Sequence, residues 1–233
     1  MNDIGFLFAT TVRSNIYLQI LINRGLVPSE IVIFNDGISK RMGQARKDQL
    51  VGILSYFTNN KKEIDLSLSI FEFLELKDLD YRYIKTSDIN STQIQNYLSN
   101  SNLKSVVYSG YGGVIVKKNI IKSGVKLIHA HSGRVPDYRG STTIYYSILQ
   151  EKKCHVSVFF LDENIDTGPL LKINEYPKPN NGLIIDYVYD AFIRADTIFD
   201  VLIDYNNDKL KELSVSNDID NETYFIIHPT LKH

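Results

Sequence analysis

A chain of 233 residues can bury one sizeable core, and 43% apolar with 23% charged residues is an ordinary globular composition. The 26 Lys and Arg nearly cancel 27 Asp and Glu, so the net charge of −1 excludes a global field favouring nucleic acid or an anionic membrane. The single cysteine, Cys154, excludes an internal disulfide and fits a reducing cytoplasm; it opens a β-branched run, where a buried, inert thiol is the expectation.

The N-terminal stretch has an acidic residue ahead of its short apolar run, so it reads as a first strand and not as a signal peptide. No segment approaches the ~18 continuous apolar residues that a membrane helix needs. IGFLFA (4–9) is that strand, and a helical pattern follows through Leu18, Leu21 and Ile22. Gly25 and Pro28 lie where such a helix stops. EIVIFND (30–36) is a second strand, 40–62 carries no clear pattern, and a helix is expected from Ile64 to Leu76. YRYIKT (81–86) and SVVYSG (105–110) read as strands, followed by a short helix over 116–123 and the strand VKLIHAH (125–131).

The segment 141–150 reads as a helix with Ser141, Thr142 or Thr143 as N-cap. HVSVFFLDE (155–163) and PLLKINEY (169–176) are two more strands. The strongest helical periodicity lies over 183–204, where Ile185, Val188, Phe192, Ala195, Phe199 and Leu202 recur at three- and four-residue steps. Phe225, Ile226 and Ile227 predict a late strand. Alternation of this kind predicts an α/β fold: a Rossmann-like, mostly parallel twisted sheet with helices on both faces. The expected organisation is one domain over 1–206 and a C-terminal extension over 207–233, packed on that domain or on a neighbouring subunit.

Ligands of open parallel sheets bind beyond the carboxyl ends of the strands. Three such ends carry polar or glycine-rich sequence: Tyr111-Gly112-Gly113, the pair His129 and His131, and the turn from Asp162 through Asp166 to Gly168. Alternation along a strand points both histidines to one face. A histidine backed by a carboxylate is a general acid or base near neutrality, and a second donor beside it stabilises an oxyanion. The same residues also suit hydrogen-bonded structural histidines, or two imidazoles and a carboxylate around a metal.

The segment SGYGGVIVKKNIIKSGVKLIHAHSGRVPDYRGSTTIYYSILQEKKCHVSVFFLDENIDTGPLL (109–171) resembles the formyltransferases that use 10-formyltetrahydrofolate, a family that includes sugar N-formyltransferases, methionyl-tRNA formyltransferase and glycinamide ribonucleotide transformylase. The resemblance implies formyl transfer to an amine with no metal. It places His131 on the catalytic histidine and Asp166 on the catalytic aspartate. Tyr111, Gly112, Gly113, Val114, Ile115 and Asp162 fall on the pterin pocket, and Ser132, Arg139 and Gly140 on the loop after the histidine, expected to touch substrate. His129 occupies the family's asparagine position and the pair Ser132-Gly133 replaces the proline after the histidine, so the oxyanion is expected to be stabilised by His131, His129 or both.

Arg13, Ser14 and Asn15 begin the first helix, where a substrate phosphate is expected; an N-cap with a solvated arginine is the plain alternative. Family members that act on tRNA carry a further C-terminal domain and basic surface. The neutral charge and the short stretch after Tyr176 therefore point to a small-molecule acceptor, a nucleotide-linked amino sugar for polysaccharide synthesis. No nucleic-acid or membrane partner is expected, and a homodimer is the assembly to test. The competing functions are a hydrolase, metal-dependent or not, built on His129, His131 and Asp166, and a binding protein without activity.

Overall fold

The computed structural model describes residues 1–37, 64–179, 185–214 and 223–232; the unassigned stretch 40–62 lies outside them. The chain divides into two compact units, Met1–Leu127 and Ile128–His233.

In the first unit, the apolar runs form strands β1 (Ile4–Ala9), β2 (Glu30–Asn35), β3 (Arg82–Lys85) and β4 (Ser105–Ser109). They pair in parallel in the order β3-β2-β1-β4, with Leu7 opposite Val32 on one side and Tyr108 on the other. β1 and β4 are buried along their whole length and β2 along all but Glu30, which is why they read as continuous apolar runs instead of alternating ones.

Helix α1 (Val12–Asn23) starts at the N-cap Thr11, whose side chain accepts the Ser14 N–H, and ends at Arg24 before Gly25. Helix α2 (Ile70–Leu76) is shorter than expected. A capping box between Ser69 and Glu72 starts it at Ile70, and Asp65–Leu68 forms a turn. Helix α3 (Thr92–Ser99) was not expected from the sequence: only Ile94 and Leu98 anchor it, one turn apart, after the N-cap Ser91. The short helix α4 (Lys118–Ile121) is as expected.

Strand β5 (Lys126–His131) begins at the end of the first unit and delivers its histidines in the second. There the pairing turns antiparallel: β5 pairs with β7 (Lys153–Phe160), and β7 with β8 (Leu170–Pro177). β7 stops three residues before the expected end, because Leu161 to Glu163 enter the loop that leads to Gly168. Cys154 is fully buried on β7, and burial pushes its thiol up to about 12, as an inert core thiol requires.

Helix α5 (Thr143–Glu151) has its N-cap at Thr142, but Thr142 is left-handed and makes no side-chain cap. Its hydroxyl instead accepts the Ile227 N–H at 2.9 Å. Helix α6 (Asp190–Asn206) follows a π-helical turn over Ile185–Tyr189. Ala191, Ala195, Ile198, Val201 and Leu202 form its buried face, whereas Phe192 and Phe199 are only half-buried. The late strand is two residues long and lies earlier than expected: β9 (Thr223–Tyr224) pairs in parallel with β6 (Arg139–Gly140). Phe225 and Ile226 are 81% and 77% exposed, and only Ile227 is buried. No helix among the described residues is long and apolar enough to cross a membrane.

Candidate active site

The carboxyl ends of β1, β2 and β4 are tied together by polar side chains. Asn35 donates to Thr10 Oγ1 at 3.2 Å, Thr10 Oγ1 lies 3.3 Å from the Tyr111 hydroxyl, and Tyr83 donates to Asn35 Oδ1 at 2.7 Å. Arg13 donates to the Gly110 carbonyl at 2.7 Å and reaches Ser109 Oγ at 3.4 Å. Ser14 Oγ lies 3.1 Å from the Ser109 carbonyl oxygen and 2.9 Å from its hydroxyl, and Asn15 donates to Leu68 O at 2.8 Å. All three residues expected to hold a phosphate are thus bonded to the first unit's own frame.

Tyr111 packs edge-on against Phe34, with ring centroids 5.9 Å apart. The loop after it is open: nothing lies within 4 Å of an added Cβ at Gly112 or Gly113, and Val114 and Ile115 are exposed. Asn90, which sequence reading missed, fixes the end of this loop by donating to Ile115 O at 3.0 Å and accepting the Lys117 N–H at 2.6 Å.

In the second unit β5 ends at His131, which is 5% exposed. Its Nε2 lies 2.8 Å from Tyr138 O and 3.1 Å from Thr143 Oγ1. A carbonyl only accepts, and the Thr143 hydroxyl donates to Ser132 O, so both partners require a proton on Nε2. Nδ1 is therefore the titrating atom, and it faces Asp166 Oδ2 at 3.4 Å. The same carboxylate oxygen accepts the Gly140 N–H at 2.8 Å, and Asp166 holds a left-handed backbone with φ 54°. Burial pushes the His131 pKa down, with Asp166 opposing and Arg194 reinforcing the shift, so a neutral imidazole waits beside a carboxylate able to stabilise its protonated form.

Two features hold this geometry. A Cβ on Gly133 would come 2.9 Å from His131 Nε2 and 2.7 Å from Tyr138 O, so the ring sits where only glycine leaves room. Behind β5, Ser132 donates to Asp190, which pairs with Arg194 at 3.0 Å, and Arg194 donates to Ala130 O at 2.7 Å. The Asp190–Arg194 pair was legible only as an i,i+4 ion pair on α6; Ser132 lies 58 residues earlier, and nothing in the sequence joins them.

His129 is half-buried, edge-on to its cross-strand partner Phe159 with ring centroids 5.8 Å apart; the His131 ring lies 6.4 Å from the same phenyl. Asp162 serves its own turn: Thr167 Oγ1 lies within 2.9 Å of both carboxylate oxygens and Asn164 N–H donates at 3.0 Å. Asp162 and Asp166 line a cleft of about 680 Å³ with Val135, Arg139, Leu170 and Leu213. Among the described residues no group of three His, Cys, Asp or Glu is placed to hold a metal ion, so His129, His131 and Asp166 do not form the metal triad held open by the sequence.

Sheet and helices together are those of an α/β fold, with the histidine and the carboxylate turn at strand ends. The formyl transferase family model matches residues 33–177, more than half of the chain, and the chain belongs to that family. Methionyl-tRNA formyltransferase of Finegoldia magna is 29% identical over 131 residues, 55% of this chain and 42% of that protein. The chain thus spans less than half the length of such curated relatives. An N-formyltransferase from Helicobacter canadensis, solved with folinic acid and dTDP-3-aminofucose, superposes with a TM-score of 0.59 at 14% identity, over 96% of this chain and 71% of that one. Glycinamide ribonucleotide transformylase 1 from Symbiobacterium toebii gives a TM-score of 0.59 at 13% identity, over 92% and 95%. These likenesses show the α/β formyltransferase fold.

Proposed function

We propose that the chain transfers the formyl group of 10-formyltetrahydrofolate to an amine, and that the amine belongs to a nucleotide-linked sugar. The observation that carries the reading is the buried His131–Asp166 pair, with Nε2 fixed as donor and Nδ1 left to titrate against a carboxylate. The amine attacks the formyl carbon and the carbonyl electrons move to oxygen. The ammonium proton passes to His131 Nδ1, where Asp166 stabilises the imidazolium, and is returned to the folate nitrogen as the carbon–nitrogen bond breaks. His129 takes the family's asparagine position and is assigned to donate an imidazole N–H to the oxyanion. Tyr111 to Ile115 and the turn at Asp162 are assigned to the pterin.

Two observations support a sugar acceptor over charged tRNA. The chain has a net charge of −1, and one neighbour in fold is an N-formyltransferase solved with dTDP-3-aminofucose. The test is purified protein with 10-formyltetrahydrofolate and a panel of dTDP-amino sugars, glycinamide ribonucleotide and methionyl-tRNA, read by mass spectrometry. A formylated sugar is expected. Formate released without any amine would replace this reading with hydrolysis, and no formylated product from any acceptor would end the transferase reading.

A further inference from the structure

We propose that Arg139 recognises an anionic oxygen group, phosphate or carboxylate, on the amine acceptor, held in the cleft beside Asp166. The identity of the ligand as acceptor rests on the formyl-transfer reading; the state of Arg139 does not. Arg139 is only 8% exposed, and its Nε is fully buried without a hydrogen-bond partner among the described residues. Of the three carboxylates lining the same cleft, Asp162 is bonded by Thr167 and Asn164, Asp166 holds the Gly140 N–H and faces His131, and Glu212 stands exposed at the edge. Burying an N–H of a guanidinium unpaired is costly, and the planar fork of N–H groups matches phosphate or carboxylate oxygens two at a time.

The backbone holds the arginine in place at some cost. Arg139 pairs with Thr223, and Gly140, at φ 101°, lies so close to β9 that a Cβ would come 2.3 Å from Tyr224 O. Tyr224 stacks on Tyr138 with ring centroids 5.5 Å apart and meets Tyr146 at 4.5 Å, so the C-terminal strand clamps the loop that carries the guanidinium.

The neighbours choose the ligand. Asp162 and Asp166 repel a second negative charge and favour an amine, so the fitting molecule carries an amine and an anionic group together. The donor fits less well. Its glutamyl carboxylates lie across an aromatic ring from the formyl-bearing nitrogen, whereas Arg139 adjoins Gly140, whose N–H holds the carboxylate of Asp166.

The experiment is titration calorimetry of the full chain with dTDP, inorganic diphosphate, malonate and 5-formyltetrahydrofolate, for wild type, Arg139→Met and Arg139→Lys. Wild type is expected to bind at least one of the three anions, dTDP and diphosphate reporting phosphate and malonate reporting carboxylate. Arg139→Met should weaken that binding by about tenfold or more and Arg139→Lys by less, with 5-formyltetrahydrofolate affinity within about twofold. Should Arg139→Met fail to fold, Arg139→Lys keeps the buried charge and carries the comparison. Equal anion binding in wild type and variant, no binding of any anion, or loss of donor binding in place of anion binding overturns the proposal. Arg139-dependent anion binding in a protein that does not bind 5-formyltetrahydrofolate would sink the formyl-transfer reading and leave the arginine site standing.

Discussion

Two arginines, one in the first turn of α1 and one on β6, are used in opposite ways. Arg13 spends its guanidinium on neutral acceptors of its own frame, Gly110 O and Ser109 Oγ, while Ser14 and Asn15 beside it are buried and bonded to backbone. Arg139 is more deeply buried, and among the described residues its Nε has no hydrogen-bond partner. The same contrast runs through the units. The first closes its carboxyl edge with neutral hydrogen bonds among Thr10, Asn35, Tyr83 and Tyr111. The second holds a buried imidazole facing a carboxylate, and an arginine whose Nε has no hydrogen-bond partner among the described residues. Satisfied polar groups build a scaffold, and incompletely satisfied ones mark a site.

The contrast breaks first at His131. If the second unit holds the chemistry, His131→Ala and Asp166→Asn should each lower kcat by roughly 10²–10⁴-fold, with little change in affinity for 5-formyltetrahydrofolate. Single-turnover formyl transfer to whichever acceptor proves active, with donor binding measured separately, checks this. Full activity in Asp166→Asn would remove the proton-transfer pair from the argument.

A smaller effect, of the opposite kind, is expected in the first unit. Ser14→Ala removes a fully buried hydroxyl bonded to Ser109, and should cost about 1–3 kcal/mol of stability. Catalysis per folded molecule should persist. Urea unfolding and kcat/KM on the same preparation separate the outcomes: a stable variant with a raised acceptor KM would move substrate binding back to the helix start, where the sequence placed it.

How far the sequence carried this reading depended on the range of each interaction. The buried strands were legible because both their faces are apolar, and the meeting of His131 with Asp166 because a dense motif surrounds them. Helix α3 was not, since Ile94 and Leu98 alone mark its buried side. The start of α2 was written in Ser69 and Glu72, whose capping box outweighed the apolar residues ahead of it. Phe225 and Ile226 look like strand core but stand in solvent, because the two-residue β9 is set by Arg139 and Gly140 more than 80 residues away. Nor does any local pattern reveal that the Nε of Arg139 has no hydrogen-bond partner among the described residues; that is a property of the folded chain.

The smallest effect concerns protons. Burial pushes His155 below its usual 6.5, with Glu151 and Glu175 opposing and Arg134 reinforcing the shift; His131 is lowered in the same direction. Above 6.5 both histidines are neutral whether folded or not, and folding takes up no proton. As pH falls through 6.5 the unfolded chain gains protons that the buried imidazoles refuse, so stability falls until the folded histidines also titrate. His155 lies 3.6 Å from both carboxylates, on the side of β7 where Glu151 also accepts the Tyr138 hydroxyl at 2.7 Å. His155→Gln should therefore flatten the stability profile as pH falls below about 6.5. It should leave the pH dependence of kcat unchanged if, as proposed, that profile is set by His131 and Asp166. A shift in the kcat profile would mean that Glu151 and Tyr138 transmit the charge of His155 to the backbone carbonyl that holds His131, joining scaffold and site where the contrast keeps them apart.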